Sequence, residues 1–147
     1  MPDNAENEIR ALLKAQDEAR ARGDAAAVLA AGSPEIVRYD LPPPLEYRAD
    51  PKRDIAGLDK WFASWDGPVI TEFAQPTILI EGDLAVAFGF SRMRGTKKGS
   101  GPVDSWNRRT VVLQRASGKW RIVHEHNSYP MAMDGSGRAE TDLKPPS

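Results

Sequence analysis

The chain carries two histidines, His124 and His126, two residues apart. An imidazole with an ordinary pKa near 6.5 needs little tuning to give or take a proton at neutral pH, so either ring is a candidate general acid or base. On a strand, positions i and i+2 share a face. The plainer reading is a buried neutral ring bonded to a cross-strand partner; it outweighs catalysis for His124 and is even with it for His126. The pair could also hold a metal with Asp40, Asp104 or Glu46. Nothing in the spacing selects that third ligand, so no metal and no cofactor is expected.

Arg108 is the candidate charge stabiliser. A guanidinium in a partly apolar cavity can hold a carboxylate, an enolate or a phenolate bidentately, unless Asp40 or Asp104 takes it as an internal ion pair. Tyr39 and Asp40 are adjacent, and neighbours on a strand point to opposite faces, so only one of them looks inward. Trp61, Phe88, Phe90 and Trp106 could line a space for a flat organic ligand. Thr110, His124 and Ser128 complete the ligand-binding set, and His126, Arg108 and Asp40 the catalytic one.

These residues need elements to position them. Ile9, Leu12, Leu13, Gln16 and Ala19 recur at helical spacing, which predicts a helix over residues 6–22 ended by Gly23. Asp24 then caps a short Ala-rich helix closed by Gly32. A strand over 36–41 and a rigid Pro42-Pro43-Pro44 segment precede a third helix. Asp54 is its expected N-cap, with Ile55, Leu58, Phe62 and Trp65 on one face. After Pro68 the period changes from 3.6 to 2. Strands are expected over 69–75, 77–81, 84–93, 103–115 and 119–129, with Pro76 at a bulge or an edge. Three helices followed by antiparallel strands argue for an α+β fold, a curved sheet bent around the helices to leave a conical internal pocket.

The last hairpin decides which side chains share a face. A three-residue loop, Ala116-Ser117-Gly118, places Gly in the left-handed position it favours. That choice pairs Val112 with Ile122, Thr110 with His124, Arg108 with His126 and Trp106 with Ser128. The face so formed is apolar near the turn and polar further on, and is expected to point inward. The opposite face carries Asn107, Arg109, Val111 and Leu113 beside Arg121, Val123, Glu125 and Asn127.

The chain has 147 residues, 20 basic against 21 acidic, and no cysteine. That length suits one domain, expected over 1–131 with a flexible polar tail over 132–147. Near-zero net charge gives no field for binding nucleic-acid phosphate. Without cysteine there is no disulfide framework, thiol nucleophile or Cys-ligated zinc. No apolar run approaches the roughly 20 residues of a membrane span. A cytoplasmic protein with no membrane partner is expected.

Gly118-Lys119-Trp120-Arg121-Ile122-Val123-His124-Glu125-His126-Asn127-Ser128, with Arg108 to Arg115 before it, resembles the closing hairpin of SnoaL-like proteins of the nuclear transport factor 2-like, ketosteroid-isomerase-like superfamily. The resemblance covers roughly residues 6–131. It implies a cone-shaped α+β barrel with a deep pocket and a homodimer built by sheet-to-sheet contact. The superfamily hosts isomerases, cyclases and dehydratases as well as a kinase association domain. The isomerase site is not carried over, because Tyr39 and Asp40 cannot both face inward. Two functions remain: cofactor-independent proton transfer next to a carbonyl, acting on a small, partly apolar molecule that can be anionic, and a non-catalytic ligand-binding or association module.

Overall fold

The computed structural model describes residues 4–147. Helix α1 (Ala5–Ala21) buries Ile9, Leu13, Gln16 and Ala19, the stripe its spacing predicts. Helix α2 (Ala25–Ala30) is capped by Asp24, whose side chain accepts from the Ala27 amide at 3.1 Å. Gly32 begins a strand instead of closing this helix. Strands β1 (Gly32–Tyr39) and β2 (Tyr47–Arg48) follow, then α3 (Pro51–Ala63). The N-cap of α3 is Asp50, not Asp54. Pro51 supplies the first helical position, where its missing N–H costs nothing. Asp54 is thereby free to pair with Arg38 of β1 at 3.1 Å.

Strands β3 (Ile70–Glu81), β4 (Leu84–Lys97), β5 (Gly101–Ala116) and β6 (Lys119–Ser128) complete a six-stranded sheet in the order β2-β1-β6-β5-β4-β3. Neighbouring strands are antiparallel except β1, which lies parallel to β6. β3 is one continuous edge strand. Its register shifts between Ala74 and Thr77, and Gln75 stands at φ 42°, so Pro76 sits in a bulge at an edge, where a missing donor is tolerated. Residues 94–102, between the strands expected over 84–93 and 103–115, mostly extend β4 and β5. Residues beyond β6 fold back on themselves, Ala132 N–H donating to Arg138 O and Glu140 N–H to Pro130 O.

The hairpin register differs from the expectation. Ala116 pairs with Lys119, so the turn is the two-residue Ser117-Gly118, both at positive φ, 52° and 77°. Left-handed geometry at both positions matches the right-handed twist of the strands, and Ser accepts it here. Further along, Leu113 pairs with Ile122 but Val112 with His124, leaving Val123 as an extra, bulged residue. A bulge reverses the in–out alternation beyond it. Trp120 and Ile122 point inward on one side of it, and Glu125 and Asn127 on the other.

The face expected inside is therefore split. Trp120 and Ile122 join Val111 and Leu113 in the core with Ile9, Leu13, Ile36, Phe73, Ala85 and Ala87. Each large aliphatic side chain fully removed from water there contributes about 1.5–3 kcal/mol. Arg108, Thr110, Val112, His124, His126 and Ser128 share the outer face. No helix among the described residues is long and apolar enough to cross a membrane.

Candidate functional site

The concave face of the sheet carries a row of buried polar residues where an apolar row would pack more cheaply. Ser91, Ser105, Asn107, Arg109 and Glu125 are all at most 8% exposed. Arg109 on β5 reaches Glu125 on β6 through Nε at 2.6 Å. A second guanidinium nitrogen donates to Gln16 Oε1 at 2.9 Å, and the group lies 4.8 Å from the Phe73 ring centroid. Gln16 in turn donates to Val28 O at 3.1 Å. Gln16 therefore lies on the apolar stripe of α1 because it braces an interior arginine.

Two further ion pairs flank this one. Arg20 meets Asp17 at 3.1 Å near the end of α1, and Asp17 also accepts from the Thr71 hydroxyl at 2.7 Å and the Phe73 amide at 2.9 Å. Arg38, beside Glu125 in the β1–β6 ladder, meets Asp54 of α3. Burial pushes the Glu125 carboxyl up, but the charges of Arg109 and Arg20, with hydrogen bonds from Arg109 and Asn127, outweigh it and leave the group below its ordinary value. Burial and the neighbouring Arg109 lower Arg20, against the opposing pull of Glu125, Asp17 and Asp40. Burial likewise opposes ionisation of Asp54, yet the Asp50 backbone, Arg38 and Arg53 hold its carboxyl low. Glu125 and Asp54 are both held ionised, which makes them poor proton acceptors near neutrality.

Helix α3 roofs this floor. Its start is tied to β1 by the Asp54–Arg38 pair, and just past its end Trp65 packs against Gly95 of β4 and bridges to Lys97. Its two anchors thus stand on β1 and β4, with β6 and β5 between those strands in the sheet order, while its own packing is chiefly against α2. Asp54, Leu58, Trp61 and Trp65 form one helical stripe, so Leu58 and Trp61 lie on the side of α3 that carries the two anchors, with the Trp61 ring against Phe62 and Trp65. Leu58 and Trp61 are only half-buried, and no residue of α3 is fully buried. Asn107 and Ser105 lie on the same concave face, the latter sharing a 2.8 Å hydrogen bond with the Tyr129 hydroxyl. Of the two best-formed clefts, one of about 390 Å³ lies at the turn end beside Glu8, Leu12 and Trp120. The other, about 260 Å³, opens beside Arg20, Phe62 and Val69. Neither reaches the floor itself.

Most residues expected to line the pocket stand on the convex side. Phe88, Phe90 and Tyr39 are 41%, 37% and 39% exposed. His126 and Thr110 are exposed cross-strand neighbours, while Trp106 is half-buried beneath the Arg92 guanidinium at 5.3 Å. Arg108 donates to Ser128 Oγ at 3.2 Å and is exposed, and Asp104 is taken by Arg92 at 2.7 Å. Tyr39 meets His124 and His126 edge-on at 4.7 and 5.5 Å. His124 donates through Nδ1 to the Val37 carbonyl at 2.8 Å, since a carbonyl only accepts. Asp40 lies past the end of β1 and accepts from the Leu41 amide at 2.8 Å. His126, Arg108 and Asp40 do not converge on a hollow. Trp61 of that set is on α3, half-buried against Phe62 and Trp65. Among the described residues no group of three or more His, Cys, Asp or Glu could hold a metal ion.

A SnoaL-like domain model matches residues 9–132. The chain belongs to the SnoaL-like family. An NTF2-like protein of unknown function from Pseudomonas putida KT2440 is similar over 99% of both chains, at 31% identity and a TM-score of 0.84. A nuclear transport factor 2 superfamily protein from Salmonella enterica shares 20% identity over 92% of this chain and 98% of its own, with a TM-score of 0.74. The CamKII hub homology domain of Chlamydomonas reinhardtii shares 20% over 84% and 97%, with a TM-score of 0.64. The last two likenesses are of fold alone. No curated protein matches the chain. SnoaL-like architecture places helices over a curved sheet, and here it leaves a polar floor beneath an aromatic roof.

Proposed function

We propose that this SnoaL-like protein binds a small, partly apolar molecule on the concave floor between α3 and strands β5 and β6. One observation carries the reading: a row of buried polar side chains, Ser105, Asn107, Arg109 and Glu125, on the concave face, together with a helix, α3, that contributes no fully buried residue. A polar interior costs stability relative to an apolar one, and such costs concentrate where a fold keeps a site. The chemistry is binding rather than proton transfer. Its histidines are on the far side of the sheet, and its interior carboxylates are paired with arginine.

The test is a ligand-observed NMR screen of a fragment library against the full chain, with Leu58→Trp as the plugged control. Fragments that shift the Trp61 indole resonance and lose binding in Leu58→Trp are the expected result. A screen whose hits all map to the convex face, or survive the plug, overturns the reading.

A separate observation favours self-association as well. Tyr39, Phe88, Phe90, Leu79 and Leu84, each more than a third exposed, stand on the convex face. A two-fold pairing of that face with a second copy would cover them.

A further inference from the structure

We infer that the molecule held beneath α3 is neutral and donates a hydrogen bond, from a hydroxyl or an amide N–H, to the side-chain oxygen of Asn107. This rests on the binding reading above and names its ligand class.

Asn107 is 7% exposed, and its amide nitrogen is committed to the Ser91 carbonyl at 3.4 Å. Its Oδ1 is buried with no partner. A buried amide oxygen that gives up water without gaining a donor is costly, and native folds rarely leave one so. The other unpartnered buried atoms among the described residues are the indole N–H groups of Trp65 and Trp120. They lie elsewhere, Trp65 against Gly95 at the end of α3 and Trp120 beside the β5–β6 turn. Asn107 is thus the vacant acceptor on the floor, and what it lacks is a donor.

Charge decides the rest. Each interior arginine has its own carboxylate: Arg109 with Glu125, Arg20 with Asp17, and Arg38 with Asp54. An anion entering this space would meet guanidiniums already matched by carboxylates, and Lys97, which has no carboxylate among the described residues, is turned onto the Ser64 hydroxyl and the Trp65 ring past the end of α3. The expectation of an anionic ligand rested on Arg108, which stands outside. An uncharged donor meets Asn107 without disturbing any pair, and Leu58 and Trp61 offer its apolar part a surface. Because Oδ1 is sealed from solvent, entry requires the middle of α3 to lift.

Benzyl alcohol, benzoate and toluene share a ring and differ only in charge and donor, so their titration into the full chain by two-dimensional NMR is decisive. Benzyl alcohol is expected to bind about tenfold or more tighter than either relative, shifting the Asn107 side-chain amide and the Trp61 indole. In Asn107→Leu its affinity is expected to drop to that of toluene. Should that variant fold poorly, Asn107→Asp retains the acceptor and adds a charge, and is expected to prefer benzylamine. Tighter binding of benzoate, or unchanged affinity in Asn107→Leu, overturns the ligand class while leaving the site standing. Failure of all three probes to saturate, with a single buried water on Oδ1 in a crystal structure, overturns the class and the site together.

Discussion

Arg109 and Glu125 hold each other in a dry place, and that sets what happens when either is lost. Taking both charges from water is expensive, and the pair stands because its geometry and the Gln16 and Asn127 contacts satisfy it. Removing one partner strands the other. Glu125→Gln is expected to destabilise the chain by about 3 kcal/mol in urea unfolding, whereas Arg109→Met combined with Glu125→Leu costs far less. Equal losses in the single and double variants would show that the pair is not coupled. The same carboxyl sets an acid limit. Its folded pKa is below the ordinary 4.5, so the pairing contributes stability above that value and loses it as pH falls through the folded one. Thermal unfolding should hold level from pH 7 to about 5 and decline below about 4.5. A decline beginning well above pH 5 would point to a group other than Glu125.

Among the elements, the closing hairpin turns on two backbone positions and one extra residue. Ser117 and Gly118 both adopt left-handed φ. Ser117→Asn suits that conformation better and should raise stability by a few tenths of a kcal/mol, while Gly118→Ala should lower it by about 1 kcal/mol. Unchanged melting in Gly118→Ala would place the turn elsewhere. The helices were the legible part. Gln16 on the stripe of α1, Asp24 at the cap of α2 and the Trp65 face of α3 could all be read from spacing, because helical period and local capping are written in neighbouring residues. The Val123 bulge was not legible. An inserted residue leaves no mark in an alternating pattern whose two faces are both mixed, as Arg109, Val111 and Leu113 beside Arg108, Thr110 and Val112 show. The signal that could have found the interior network was Gln16, a polar residue amid buried aliphatics that required a polar partner across the core.

For the whole molecule, the sheet presents a convex face lined with aromatic side chains and a concave one lined with ion pairs. Phe88 at 41% and Phe90 at 37% exposure keep apolar rings in water next to His126 and Tyr39. Wild-type chain at micromolar concentration is expected to sediment at twice the chain mass. Phe88→Asp should return it to monomer without changing its melting below the dimerisation range. A wild type that sediments as a monomer would leave the aromatic face without a partner. The residues alone determined the order of helices and strands, the SnoaL-like resemblance and the absence of thiol chemistry, since each follows from composition or from contacts near in sequence. Which side of the last hairpin looks inward was decided only by the packed sheet. One bulged residue reverses every side chain beyond it, and its position is set by how β5, β6 and β1 pair across the chain.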